Sequence, residues 1–425
     1  MAGLSTGDNA ALATHDIGYP NGHLGHLTTE EEEALVNFKV YLEEHDLYTP
    51  GPTPSHDDQT LLRFLRARRW VVPDAYKQFH ETEVWRKANH LDVLYNTLDI
   101  DAYEQTRRLY PQWTGRRDRR GIPLFVFEIV HLDSKTVAAY EKSAETAYSE
   151  AVTDGSTPSK LLRLFALYES LTRFTQPLCT QLPDRDHFST PITLSTNIVD
   201  VSGVSLRQFW NLKSHMQAAS QLATAHYPET LDRIFIIGAP YFFSTVWGWV
   251  KRWFDPITVS KIFILSAAEV KPTLEAFIDP KNIPKKYGGE LEFNWGDMPN
   301  VDPYIAERAT WESGKAEFVK GPMYWRPVEG TDLVECVAVG TVDQKTRMQR
   351  ICTLPKAYPP KPVAVAVAEK ETVPAAVAAP TATTNGPTEA DIEAVQALSI
   401  GDDKPEISEK LAEPEAATKA GTVSA

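Results

Sequence analysis

Four short apolar runs set the strongest limit on how this chain can fold. They are Leu124 to Val130, Ile192 to Val201, Arg233 to Ala239 and Lys261 to Leu265. Their apolar residues run on without a polar face, as in strands covered on both sides. Helix-length stretches lie between or after them, at about Ser134–Phe174, Ser205–His226 and Glu269–Phe277. Strands alternating with helices predict an α/β unit built on a largely parallel, buried sheet. The pattern ends near Tyr287-Gly288-Gly289.

The chain is 425 residues long, more than one such unit needs. Residues 1–27 read as a flexible leader. Thr28-Thr29 with Glu30 to Glu33 has the form of a capped helix start. That helix is expected to end near Leu47, before the breaker cluster Thr49-Pro-Gly-Pro-Thr-Pro54. Helices over 57–70 and 73–90 complete an all-α unit spanning 28–100. The α/β unit is assigned to 101–295 and a folded appendage to 296–358, with one strand at Leu333 to Val339. No aromatic residue follows Tyr358, and residues 361–425 hold 11 acidic against 5 basic side chains. Such an Ala/Pro-rich segment buries too little to offset its ordering entropy, so 359–425 is expected to be a disordered acidic tail.

The formal net charge of -14 excludes a generally basic nucleic-acid-binding protein. The three cysteines, Cys179, Cys336 and Cys352, are too widely spaced for a metal or CxxC motif and suit a reducing compartment. No apolar run is long enough to span a bilayer. The nucleophile elbow, phosphate loop, dinucleotide fingerprint and HExxH motif are all missing, so a binding protein is expected rather than an enzyme, with no metal and no cofactor. His23-x-x-His26 is the one close histidine pair and is read as inert.

Three segments invite a functional reading beside a plain one. Leu61 to Trp70 carries Arg63, Arg66, Arg68 and Arg69 on an amphipathic helix. Guanidinium groups suit phosphate oxygens, but a solvated basic face reads the same way. Glu229 precedes an apolar strand, and Lys261 with Thr258 stands at the mouth of another; each can equally be an ordinary strand-end residue. Phe242, Phe243, Val246, Trp247, Trp249, Val250, Trp253 and Phe254 crowd one segment whose only charges are Lys251 and Arg252. A helix apolar almost all round is either core or membrane-seeking. The run Arg116-Arg117-Asp118-Arg119-Arg120 reads as a solvated turn, or as a contact for anionic lipid heads.

These segments resemble the CRAL-TRIO lipid-binding family, most closely its fungal phosphatidylinositol/phosphatidylcholine transfer branch. LLRFLRARRW, YPQW with GIPLFVFE, IVDVSGVS, YPETLDRIFIIGAP, FDPITVSKIFIL and NIPKKYGG stand in family order over about residues 28–295. The resemblance implies a sheet-floored apolar cavity holding one phospholipid, under a gate helix that falls on the aromatic segment 242–254. It places the phosphatidylinositol headgroup at Arg68, Arg69, Glu229, Thr258 and Lys261. The choline-headgroup positions fall on Thr114, Phe125, Ser195 and Asn197, where the family carries two Tyr, a Ser and a Thr; only Ser195 is retained. The expected function is therefore transfer or presentation of phosphatidylinositol, exchanged for a second hydrophobic ligand other than phosphatidylcholine. The protein is expected to be a cytoplasmic monomer that meets endomembranes (Golgi or endosome) transiently. The alternative is a lipid-sensing adaptor that recruits protein partners through its tail.

Overall fold

The computed structural model describes residues 18–253 and 259–357, the side chain of Trp253 excepted. Phe254, Thr258 and the tail 359–425 therefore lie outside the described residues.

Three helices open the described chain: α1 (Thr29–Glu44), α2 (Asp58–Ala67) and α3 (Val72–Ala88). The capping box expected at Thr28 is formed, with Glu31 N–H donating to the Thr28 hydroxyl and Glu31 accepting from the Thr28 amide. Asp57 caps α2 in the same way, accepting from Thr60 N at 2.9 Å. Leu35, Phe38, Leu61, Leu65 and Phe79 share one buried cluster. This helical unit does not stand apart. Gln78 of α3 donates to the carbonyls of Thr224 and Ala225, and Trp85 stacks on His226 with ring centroids 4.1 Å apart. Two short helices, α4 (Leu91–Thr97) and α5 (Ile100–Arg107), lead into the sheet.

The main sheet has five strands in chain order: β1 (Gln112–Arg117), β2 (Pro123–Glu128), β3 (Thr196–Asp200), β4 (Arg233–Ile237) and β5 (Ile262–Ile264). The four apolar runs supply β2 to β5, which pair parallel, as expected. The added strand β1 pairs antiparallel with β2. It contains Arg116 and Arg117 and does not look like a strand. It is held by ion pairs: Arg117 meets Asp184 at 2.7 Å and Asp302 at 2.9 Å. The basic run is thus part strand and part turn: Arg116 and Arg117 close β1, while Arg119 and Arg120 form the turn into β2, with Arg119 exposed. Arg116 bonds Asn300, Arg119 bonds the Glu275 carbonyl, and Arg120 pairs with Asp118 and Asp232.

The stretch 134–174, expected as one helix, is broken. α6 (Ser134–Ala144) is separated by irregular chain from α7 (Ser159–Ser170), which passes through a π turn (Leu171–Thr175) into α8 (Gln176–Thr180). After β3 comes the long α9 (Leu206–His226), capped by Ser205. α10 (Phe243–Val250) follows β4, and α11 (Ala267–Phe277) follows β5.

Residues 296–357 form α12 (Pro303–Arg308) and a second, antiparallel sheet. Its strands are β6 (Thr310–Trp311), β7 (Met323–Pro327), β8 (Leu333–Ala338) and β9 (Gln349–Pro355), in the order β6-β9-β8-β7. Ile305, Phe318, Cys336 and Leu354 pack with Trp113, Phe174 and Leu178, so this appendage shares a core with the main body. The leader also needs correction. Residues 18–27 are packed, not loose, with Tyr19 and His23 buried and Arg185 donating to the Tyr19 hydroxyl.

Candidate functional site

The two faces of the main sheet differ. Leu124, Val126, Ile198, Phe235 and Phe263 line one face and are fully covered by α11 and the chain after it. Period-two alternation turns Phe127, Val199, Ile234, Ile262 and Ile264 to the other face. These five are only partly buried, although they pack in a cluster with α7, α9 and α10. Met216 and Leu222 of α9 are likewise half-covered. Such a face leaves apolar surface available for a ligand.

α10 roofs this side. Val246 is buried as its anchor, while Phe242, Phe243, Trp247, Trp249 and Val250 are half-buried against the same cluster. The aromatic segment is thus neither pure core nor free surface. Phe254 lies outside the described residues, as does the side chain of Trp253.

Polar groups gather where β4 and β5 begin. Lys261 Nζ donates to Glu229 Oε2 at 3.2 Å and to the Leu231 carbonyl at 3.1 Å. Each side chain keeps about a fifth of its surface in contact with solvent (21% and 22%), so the pair is reachable. Arg66 faces the same loop closely enough for the Glu229 charge to act on its guanidinium. Arg68 and Arg69 follow at the end of α2 and are exposed, with no hydrogen bond or ion pair from either side chain to another described residue. Arg69, Trp70 and Glu229 have φ of 51°, 65° and 54°, left-handed values that non-glycine residues rarely adopt. Such backbone strain clusters at functional sites because the surrounding structure must hold it in place. Thr258 lies outside the described residues.

Sequence reasoning missed two parts of this region. The first is the leader, whose Gly22 carbonyl accepts from Arg66 Nη1 at 3.1 Å. His23 beside it has its pKa driven well below the usual value by burial and by the charges of Arg66 and Lys261, so its ring is neutral. The second is the support of the Glu229 loop. The Tyr227 hydroxyl donates to Glu169, which also pairs with Arg86 at 2.6 Å and Arg173 at 2.6 Å. Nothing in the spacing of these residues signals either contact.

Of the four positions expected at a choline headgroup, Thr114, Phe125 and Asn197 lie on β1, β2 and β3, and Ser195 immediately precedes β3. Phe125 pairs with Asn197 across the sheet, and Asn197 Nδ2 donates to Ser195 Oγ at 3.1 Å. Ser195 Oγ donates to the Thr230 carbonyl at 3.0 Å, which joins this group to the Glu229 loop. Thr114 is buried, and its hydroxyl donates to the Leu124 carbonyl within the β1–β2 pairing. The hydroxyl protons of Thr114 and Ser195 are thus already used on backbone. Among the described residues no group of His, Cys, Asp and Glu suits a metal ion, and no helix is long and apolar enough to cross a membrane.

A half-covered apolar sheet face thus lies beside an aromatic helix, with cations at one end. The CRAL/TRIO domain model matches residues 107–289, and the CRAL/TRIO N-terminal domain model matches 28–81. The chain belongs to the CRAL-TRIO family and has its fold, a mostly parallel sheet with covering helices behind an N-terminal helical unit. A SEC14 cytosolic factor of Yarrowia lipolytica is 33% identical over 292 residues, covering 67% of this chain and 54% of that protein. A CRAL-TRIO domain-containing protein of Saccharomyces cerevisiae is 31% identical over 297 residues, covering 68% and 86%. A phosphatidylinositol/phosphatidylcholine transfer protein of Arabidopsis thaliana is 30% identical over 318 residues, covering 72% and 46%. The chain thus spans about half the length of the Yarrowia and Arabidopsis relatives.

Proposed function

We propose that this protein binds one phosphatidylinositol molecule and carries it between membranes, or presents it, in exchange for a second hydrophobic ligand. The carrying observation is the convergence of Arg66, Glu229 and Lys261, from segments far apart in sequence, beside a sheet face left half-covered. The acyl chains lie on Phe127, Val199, Ile234, Ile262 and Ile264 beneath α10. Arg68, Arg69 and Lys261 donate charge-assisted hydrogen bonds to the inositol phosphate, and Glu229 accepts from inositol hydroxyls. Thr258 supplies a further hydroxyl. Transfer from bilayer to cavity changes little for the acyl chains, since both surroundings are apolar, so headgroup contacts set specificity.

No covalent chemistry is part of this reading, and the bound phospholipid is cargo rather than cofactor. The residues at the choline positions disfavour phosphatidylcholine as the second ligand and leave a sterol or another hydrophobe. Phe125 lacks a hydroxyl, Thr114 has no aromatic face for a quaternary ammonium, and the protons of Thr114 and Ser195 already serve carbonyls. The protein works as a monomer in the cytoplasm and meets endomembranes through α10.

Mass spectrometry of lipids retained after incubation with cell membranes tests both halves. Phosphatidylinositol without phosphatidylcholine is expected. Arg69→Ala with Lys261→Ala is expected to abolish phosphatidylinositol retention while leaving the thermal midpoint unchanged. Retention unaffected by the double substitution would remove these residues from the headgroup site.

A further inference from the structure

The start of α9 carries an apolar stripe that the fold does not cover. Leu206 and Trp210 stand one turn apart and are 47% and 56% exposed. Val130 sits beside them, since Gln208 Nε2 donates to the carbonyls of Ile129 and Val130, and it is exposed as well. Trp210 meets Trp249 of α10 edge-on, with ring centroids 5.7 Å apart. The stripe is therefore continuous with the aromatic roof. Soluble proteins seldom leave paired indoles at the surface without a partner, and Trp is favoured at membrane interfaces.

Charge identifies the partner. No Asp or Glu occurs between Asp200 and Glu229, or between Asp232 and Asp255, in a chain whose net charge is -14. These two carboxylate-free stretches contain α9 and α10. Arg207, Lys251 and Arg252 are exposed, and Lys213 Nζ lies 5.0 Å above the Trp210 ring. The turn Lys251–Trp253 packs beside α9, so the cations flank the apolar stripe from both helices. Asp133, across from Asn211 at the start of α6, has its carboxylate taken up by the amides of Lys135 and Thr136.

We infer that the first half of α9 is part of a membrane-docking surface that prefers anionic bilayers. Leu206 and Trp210 enter the headgroup layer beside α10, while Arg207, Lys213, Lys251 and Arg252 hold acidic phospholipid heads. Each such cation near an anionic surface is worth about fivefold in affinity, and salt screens the effect. This inference rests on the reading that a lipid reaches the sheet face past α10. It adds a second helix to the contact and a lipid-charge preference that neither the aromatic segment nor the headgroup residues imply.

The test is flotation of the full chain with phosphatidylcholine vesicles, with and without phosphatidylserine. The unsubstituted chain is expected to prefer the phosphatidylserine vesicles by more than tenfold and to lose that preference at high salt. Trp210→Ala is expected to weaken binding to both vesicle types by about tenfold. Arg207→Glu with Lys213→Glu is expected to remove the preference for phosphatidylserine. Arg207 and Trp210 are exposed and Lys213 is half-buried without an ion pair to another described residue, so the melting curve should stay that of the unsubstituted chain. Unchanged flotation of Trp210→Ala, or a surviving preference in the charge variant, would overturn the inference. A dimer seen by sedimentation equilibrium that Trp210→Ala dissolves would also overturn it, because the stripe would then seat a second copy. A chain that docks on anionic vesicles yet never loads phosphatidylinositol would instead refute the proposed function and leave the docking surface standing.

Discussion

Glu169→Gln isolates one buried charge that supports the candidate site from behind. Glu169 is 2% exposed and holds Arg86, Arg173 and the Tyr227 hydroxyl. Burial pushes its pKa up, but the Arg86 and Arg173 charges and the Tyr227 hydrogen bond outweigh it and hold the group at about 2, against an ordinary 4.5. A depression of that size corresponds to about 3 kcal/mol of stability at neutral pH. Breaking a buried ion pair from one side costs about 3–5 kcal/mol, and the lower end applies here because Asp92 still pairs with both guanidiniums. The carboxylate is depressed in the folded state, so its contribution is complete above pH 4.5 and is lost as pH falls towards 2. Urea unfolding at a series of pH values reads this directly. At pH 7 the variant should be about 3 kcal/mol less stable, and the gap should close as the pH falls through that window. Phosphatidylinositol retention should fall as well, because Tyr227 begins the loop that carries Glu229. A gap under about 1 kcal/mol at pH 7, or one that does not change with pH, would refute the reasoning.

Gly115 has φ of +89°, and a Cβ there would stand 2.3 Å from the Asn300 carbonyl oxygen. Gly115→Ala should therefore cost about 2–4 kcal/mol in urea unfolding and speed proteolysis of the chain around Asn300; a loss under about 0.5 kcal/mol would contradict the contact. His226 is lowered from 6.5 to about 4 by burial and by the Arg86 charge, so its stabilising effect is lost as pH falls from 6.5 towards 4. An NMR titration should give a midpoint near 4, and a midpoint near 6.5 would mean that the ring is solvated.

The parallel strands and the family are legible in local stretches of sequence. Leu124, Ile198, Phe235 and Phe263 lie in runs too apolar to face water, and their burial follows from composition alone. The caps at Thr28 and Asp57 were equally local, since a side chain three residues from its amide needs no distant partner. Tertiary structure decided what rests on pairs remote in sequence. Strand β1 carries two arginines and became a strand because Asp184 and Asp302 neutralise Arg117 from 67 and 185 residues away. The same holds for the leader, where Tyr19 is packed by Arg185, whereas the break after Ala144 contains the local breakers Gly155 and Pro158. It holds for the site as well. Glu229 and Lys261 were legible as candidates, but their contact, the approach of Arg66 and the support from Glu169 exist only after the chain has closed. Charged groups become structural when folding removes water from around a matched pair, and a linear order does not show which pairs will meet.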